Sequence, residues 1–174
     1  PGDDRIYARG GEDIVYGGEG DDYVNGQNDN DTLYGDAGAD WIESGQGNDK
    51  TYGGAGDDSL NGGLGDDYVW GGYGDDLHVV EDSFGNDTYF GDSEAEDYGD
   101  TLDLSAVTAD LRVDLTDGYY EVGSFTDGTS TATFSEIEHI VLGAGNDTLV
   151  LADNGGSDTV QGFTAPTDNG DGTF

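Results

Sequence analysis

Along residues 1–79 of the 174-residue chain, large apolar side chains are few and evenly placed. Ile6, Val15, Val24, Leu33, Ile42, Leu60 and Val69 stand at multiples of nine from one another, and Thr51 and His78 hold the same phase. Neither a helical period nor the alternation of a long strand describes this spacing, so a repeated structural unit is the first reading. Two residues ahead of each of these positions stands an aspartate: Asp4, Asp13, Asp22, Asp31, Asp40, Asp49, Asp58, Asp67 and Asp76. Glycines fill the stretch before it, as in Gly17-Gly18-x-Gly20, Gly53-Gly54-x-Gly56, Gly62-Gly63-x-Gly65 and Gly71-Gly72-x-Gly74. The unit is G-G-x-G-x-D-x-U-x, with U large and apolar.

The unit predicts its own local structure. The triplet x-U-x makes a very short strand with U pointing one way and its neighbours the other. The preceding G-G-x-G-x-D makes a turn in dihedrals that glycine adopts at little cost. Two units close one flattened coil, and coils stacked at about 4.8 Å build two parallel sheets face to face. The expected fold is an all-β parallel roll in which residues eighteen apart lie above one another.

After Asp76 the phase slips. Ser83-Phe84-Gly85-Asn86-Asp87-Thr88-Tyr89 reads as a unit displaced by two residues, with Asp87 and Tyr89 in the Asp and U places. Residues 93–105 offer a degenerate turn around Asp97 or Asp100. The stretches TLDLSAVTADLRVDL and TATFSEIEHIVL alternate with period two and read as half-buried strands. LGAGNDTLVL and NGGSDTVQGF read as isolated repeat-like turns with Asp147 and Asp158. The expected organisation is a nonapeptide roll over residues 1–92 and a β-rich capping or flanking region over residues 93–174, since a stacked solenoid has to cover its last apolar layer.

Charge sharpens the picture. Forty Asp and Glu face four Lys and Arg, for a formal charge of −36, and the chain has 33 Gly. Such a chain does not fold without a counter-charge. Nucleic acid is excluded as a partner, because Arg5, Arg9, Lys50 and Arg112 cannot make a basic face. There is no cysteine for disulfides or thiolate metal sites, and no apolar run long enough to span a bilayer. Opening at Pro1-Gly2, the chain reads as a piece of a larger protein.

Eighteen-residue stacking sorts the aspartates into two columns, Asp4, Asp22, Asp40, Asp58 and Asp76 on one edge and Asp13, Asp31, Asp49 and Asp67 on the other. Carboxylates piled at strand spacing repel one another and require a counter-ion. Calcium suits them, since it takes 6–8 oxygens at about 2.3–2.6 Å and accepts backbone carbonyls beside carboxylates, whereas magnesium demands a tight octahedron. Zinc and iron lack the Cys or His they prefer. Folding and calcium uptake are then one event.

The nonapeptide resembles the repeats-in-toxin family, also called hemolysin-type calcium-binding repeats. The resemblance implies a right-handed parallel β-roll with calcium held between stacked turns, and counting stacked Asp pairs along the two edges gives about seven or eight ions. It also implies a bacterial protein exported by type I secretion machinery, unfolded in the cytosol and folding outside the cell or at its surface. Carried over, Asp4, Asp13, Asp22, Asp31, Asp40, Asp49, Asp58, Asp67, Asp76 and Asp87 are side-chain ligands. Backbone carbonyls of Gly17, Gly18, Gly20, Gly35, Gly38, Gly53, Gly54, Gly56, Gly62, Gly63, Gly65, Gly71, Gly72 and Gly74 supply further oxygens. Ala8-Arg9, Gln27-Asn28-Asp29, Asp36 and Ser44 depart from the pattern, and the site beside Arg9 departs furthest.

One feature goes beyond the nonapeptide. Tyr16, Tyr34, Tyr52, Trp70 and, after the slip, Phe90 fall in one outward column. Three readings apply: a ladder of same-face pairs that stabilises the sheet, an aromatic strip covered by Tyr119, Tyr120 and Phe125 of the flanking region, or a platform for a glycan or protein partner in an adhesin-type module. His78 is expected to be a tolerated inward residue and His139 to face solvent. No G-x-S-x-G or HExxH motif is present, and glycine-rich turns followed by three-residue strands in acidic surroundings do not cradle phosphate. A disordered acidic calcium buffer accounts for the charge but not for the period. The expectation is a non-catalytic, calcium-binding β-roll.

Overall fold

A computed structural model describes residues 1–91, 99–115 and 122–151. Eight six-residue strands run through the repeats: β1 (Arg5–Gly10), β2 (Ile14–Glu19), β3 (Tyr23–Asn28), β4 (Thr32–Ala37), β5 (Trp41–Gln46), β6 (Lys50–Ala55), β7 (Ser59–Leu64) and β8 (Tyr68–Tyr73). Shorter strands follow: β9 (Leu77–Val79), β10 (Thr88–Phe90), β11 (Thr101–Asp103), β12 (Arg112–Leu115), β13 (Val122–Thr126), β14 (Thr131–Ser135), β15 (His139–Val141) and β16 (Thr148–Leu151). Among the described residues there is no helix, so none is long and apolar enough to cross a membrane.

Odd- and even-numbered strands of the repeats fall into two parallel sheets. One has the order β1-β3-β5-β7-β9-β11-β15 and the other β16-β12-β13-β14-β10-β8-β6-β4-β2. The register is the one the period predicts, with Ile6 beside Val24, Val24 beside Ile42 and Leu33 beside Thr51. The fold is a β-solenoid with two strands per eighteen-residue coil. At the slip the stacking offset becomes twenty residues, and Tyr89 pairs with Val69.

The repeat strands are longer than the expected triplet. Pairing resumes at positions two and three of the next unit but skips position one: Tyr16 pairs with Tyr34 and Gly18 with Asp36, while Gly17 has no ladder partner. At position one the chain points inward, and Gly26, Gly35, Gly53, Gly62 and Gly71 are buried there. Positions two and four take left-handed backbone, as at Gly18 (φ 116°) and Gly20 (φ 120°). Arg9, Gln27 and Asp36 at position two and Asp29 at position four adopt the same region at φ 72–88° without glycine. The departures from the consensus therefore keep the turn geometry.

The interior of the roll is lined by two facing files of U residues, one from each sheet. Val24, Ile42, Leu60 and His78 stack in one file and Leu33, Thr51 and Val69 in the other, all of them fully buried. Ser44 and Thr51 both depart from the repeat and answer each other, their hydroxyls sharing a hydrogen bond across the interior. His78 has burial as the cause of a pKa lowered to about 4, and its ring meets Tyr89 edge-on at 5.8 Å. His139 is exposed.

Beyond residue 99 the two sheets continue, but the topology changes. Each alternating stretch, expected as one strand, is two short strands in different sheets joined by a corner: β11 and β12, then β14 and β15. Strand β13 runs antiparallel to both β12 and β14, inserting a reversed strand into an otherwise parallel sheet. Phe84, Phe125 and Phe134 fill this end of the core. Phe125 packs on Phe84 and Tyr89, which corrects the expectation that it covers the outer aromatic column: its place in β13 turns it inward. Tyr119 and Tyr120 lie outside the described residues.

Candidate metal centre

The position-six aspartates form two hydrogen-bonded columns. On one edge the N–H of Asp4 donates to Oδ1 of Asp22 (2.7 Å), Asp22 to Asp40 (2.7 Å), Asp40 to Asp58 (2.8 Å) and Asp58 to Asp76 (2.8 Å). On the other edge Asp13 donates to Asp31, Asp31 to Asp49, Asp49 to Asp67, and Asp67 across the slip to Asp87. Each carboxylate thus reaches back to the coil before it with Oδ1.

The second oxygen is the informative one. Oδ2 of Asp22, Asp31, Asp40, Asp49, Asp58 and Asp67 is buried and has no hydrogen-bond partner. A carboxylate oxygen withheld from water without a partner is costly. Beside it lies the inward position-one residue. A Cβ placed on Gly17 would stand 2.6 Å from Oδ2 of Asp22 and 2.6 Å from the carbonyl oxygen of Gly35 in the next coil. The same pairing of oxygens recurs at Gly26 with Asp31 and the Ser44 carbonyl, at Gly35 with Asp40 and the Gly53 carbonyl, and at Gly53 with Asp58 and the Gly71 carbonyl. At Gly17, Gly26, Gly35 and Gly53 the missing Cβ leaves room beside the carboxylate and the carbonyl, while at Gly18, Gly20, Gly38 and Gly54 the left-handed backbone favours glycine as well. Carbonyls of Gly20, Gly38, Gly54, Gly56 and Gly65 project along the stack at the glycine one coil on.

Burial is the main force on the carboxyls of Asp31, Asp40, Asp49, Asp58 and Asp67, and it pushes their pKa values upward along the roll. Asp31 and Asp40 are raised, Asp49 is at about 6, Asp58 at about 7 and Asp67 at about 8, with neighbouring aspartates adding repulsion and the stacked N–H groups opposing both. Such a column holds its charge only beside a cation. Among the described residues no three His, Cys, Asp or Glu side chains converge, so a cation here draws on one or two carboxylates and a wall of carbonyls. That all-oxygen, carbonyl-rich set fits calcium.

The ends of the columns differ from the middle. Asp4 is exposed and Asp13 half-buried, so the turns beside Arg9 are the least enclosed. Asp87 joins the ladder, yet its Oδ2 accepts a 2.7 Å hydrogen bond from the Tyr89 hydroxyl. That bond and the Asp67 N–H hold Asp87 down against burial, leaving its pKa at about 6.

Three features go beyond the sequence reading. The first column runs on past residue 76, with the N–H of Asp76 donating to Asp100 at 2.8 Å and that of Asp100 to Oε2 of Glu138 at 3.0 Å. Of the two candidates for the degenerate turn, Asp100 enters the column, and Asp97 lies outside the described residues. Second, position five carries a reciprocal ladder, in which Asp21 donates to Asp3, Ala39 to Asp21, Asn48 to Asn30, Asp66 to Asn48 and Asp75 to Asp57. The recurrence of Asp or Asn there was the available signal. Third, the repeat-like turn at Asp147 stacks on a coil thirty-six residues earlier, with the N–H of Leu111 donating to Asp147 and that of Asn146 to Asp110. Asp158 lies outside the described residues.

The outer aromatic column is present. Tyr16 and Tyr34 stack at 4.8 Å with planes 6° apart, and Tyr34 and Tyr52 at 4.9 Å and 9°. Trp70 is tilted 50° against Tyr52 at 6.1 Å, and Phe90 meets Tyr68 at 5.2 Å. The opposite sheet has its own aromatic trio in Tyr7, Tyr23 and Trp41, which spans position seven as well as position nine and was not anticipated.

Two stacked sheets, a repeated turn with an orphaned carboxylate oxygen, and carbonyls gathered beside it define a parallel β-solenoid built to take hard cations. The family of the RTX calcium-binding nonapeptide repeat (4 copies) matches residues 1–24, 16–51 and 52–77. Residues 1–77 thus carry RTX-type calcium-binding repeats, and the solenoid they build is a calcium-binding β-roll. No curated protein matches the chain.

Proposed function

We propose that this chain is a folding module gated by calcium: expanded where the ion is scarce, and closed into the roll where it is abundant. The observation that carries this reading is the row of six buried, unpartnered Oδ2 atoms, Asp22 to Asp67. Each step between stacked turns is one site, with Asp4, Asp13, Asp22, Asp31, Asp40, Asp49, Asp58, Asp67, Asp76 and Asp87 supplying carboxylates and the turn glycines supplying carbonyls. Counting the steps along both edges gives about seven or eight ions. The module serves a larger bacterial protein that leaves the cell unfolded through type I secretion machinery and folds outside, and it is not itself catalytic. The abundance of extracellular calcium and the like-charge repulsion of the metal-free chain both favour that sequence of events.

Native mass spectrometry of the calcium-equilibrated chain tests the site assignment. About seven or eight bound ions are expected, falling when Asp40 and Asp49 are replaced by Ala. One or two ions, unchanged by those replacements, would refute it. The adhesin-type alternative requires the faces of the outer aromatic column, and Tyr34 has both faces turned to its neighbours. That arrangement favours the ladder reading.

A further inference from the structure

We infer that the Tyr16–Tyr34–Tyr52 stack is a site of oxidative tyrosine cross-linking that can staple successive coils of the roll to one another. Three properties of the stack meet the requirements of that chemistry. The rings are nearly parallel, at 4.8 Å and 6° for Tyr16 with Tyr34 and 4.9 Å and 9° for Tyr34 with Tyr52. Their strands are locked in register, Tyr16 beside Tyr34 and Tyr34 beside Tyr52, so equivalent ring carbons face each other. The column lies on the outside of the roll, where Tyr16 is 61% exposed and Tyr34 and Tyr52 are partly exposed. Coupling brings the carbons ortho to the two hydroxyls from stacking distance to bonding distance, so the neighbouring rings swing out of the stack as the bond forms.

The oxidant is of the one-electron class that acts on phenols, such as a peroxidase with hydrogen peroxide. Each of two neighbouring tyrosines gives up one electron and its phenolic proton. The two phenoxyl radicals join through a new carbon–carbon bond between ortho positions, and each ortho hydrogen moves to the phenol oxygen as the ring regains aromaticity. Two hydrogen atoms leave in total, and one hydrogen peroxide takes them to become two molecules of water. The product is a dityrosine bridge between residues eighteen apart, which ties coil to coil along the direction in which calcium also ties them. A bridged roll therefore keeps its stacking when calcium is withdrawn, which an unbridged roll does not.

Other tyrosines supply internal comparisons. Tyr7 and Tyr23 approach to 5.7 Å but are tilted by 59°, and Tyr52 and Tyr68 to 6.0 Å at 47°. Tyr89 is buried with its hydroxyl bonded to Asp87.

The test treats the chain, loaded with calcium and at low concentration, with horseradish-type peroxidase and limiting hydrogen peroxide, followed by dityrosine fluorescence and tandem mass spectrometry of the monomer band. The expected result is monomer cross-linked mainly at Tyr16–Tyr34 and Tyr34–Tyr52, with several-fold less in chelator. Tyr34→Phe, which keeps the stacked ring but removes the phenol, abolishes both bridges while circular dichroism in calcium stays unchanged, and Tyr7→Phe leaves them in place. The cross-linked monomer retains its β signal in chelator. Bridges spread among the 11 tyrosines without preference, Tyr7–Tyr23 as the leading product, or cross-links found only between molecules would each overturn the inference.

Discussion

The N–H of Asp40 donates to Oδ1 of Asp58, eighteen residues on, at 2.8 Å, and Oδ2 of Asp58 is left buried without a partner. One half of each carboxylate builds the stack and the other half waits for a cation. This division of labour explains how a chain with a charge of −36 and little apolar material forms an ordered solenoid. On the function proposed above, the like charges that oppose folding are the ligands that make it favourable once calcium is bound.

Replacing Asp58 by Ala removes both halves in mid-stack. The buried Asp40 N–H loses its charge-assisted acceptor, a loss of about 1.5–3 kcal/mol, and one cation loses a ligand. The calcium midpoint for folding, followed by circular dichroism, is expected to rise several-fold. Asp4→Ala, at an exposed end of the same column, leaves the midpoint within about twofold. Equal effects at the two positions would contradict shared ligation between coils.

Protons are predicted to substitute partly for calcium. Asp49, Asp58 and Asp67 have folded-state pKa values raised to about 6, about 7 and about 8, against an unfolded value near 4. Between those limits the metal-free fold binds more protons than the unfolded chain, so its stability is present in acid and declines as pH rises from about 4 through about 8. In calcium-free buffer the β signal in far-ultraviolet circular dichroism is therefore expected to grow on acidification from about pH 8 to about pH 5. A signal that falls over that range would reverse the sign and the argument.

Ser44 and Thr51 are predicted to be coupled. Ser44→Ala alone leaves the Thr51 hydroxyl buried without its partner, at a cost of about 1–3 kcal/mol, and Thr51→Val does the same to Ser44. The double variant removes both hydroxyls and restores an apolar U position, so it is expected to be more stable than either single variant. Thermal melts in saturating calcium read the cycle, and additive losses would refute the pairing.

Ala39 offers a stabilising change. Its neighbours in the position-five ladder, Asp21 and Asp57, accept the N–H of the residue one coil on, and Ala39 has no side-chain acceptor for Asp57. Ala39→Asn supplies one and is expected to add about 0.5–1.5 kcal/mol in the same melts. A loss of stability would show that the ladder is incidental.

Much of this was legible because the nonapeptide repeats itself. The U files, the two Asp columns and the eighteen-residue register follow from the spacing of Asp4 to Asp76 alone, and the slip at Asp87 left its own trace in Thr88 and Tyr89. What the spacing could not reveal was the inward turn of position one, since a glycine there looks the same whether it serves backbone shape or space. The corners between β11 and β12 and between β14 and β15 were also hidden. At Glu136 the second corner takes left-handed backbone (φ 58°) in a residue that carries no turn signature. The extension of the column to Asp100 and Glu138 depends on contacts twenty-four and thirty-eight residues apart, which no fixed period announces.

The most direct test of the account is far-ultraviolet circular dichroism of the chain titrated with calcium after exhaustive chelation. The account predicts a coil spectrum in chelator near neutral pH, a cooperative change to β on adding calcium with a midpoint of about 10⁻⁴–10⁻³ M, and little response to equal magnesium. A chain that shows the same β spectrum in chelator as in calcium, or that binds calcium without changing its spectrum, would contradict it.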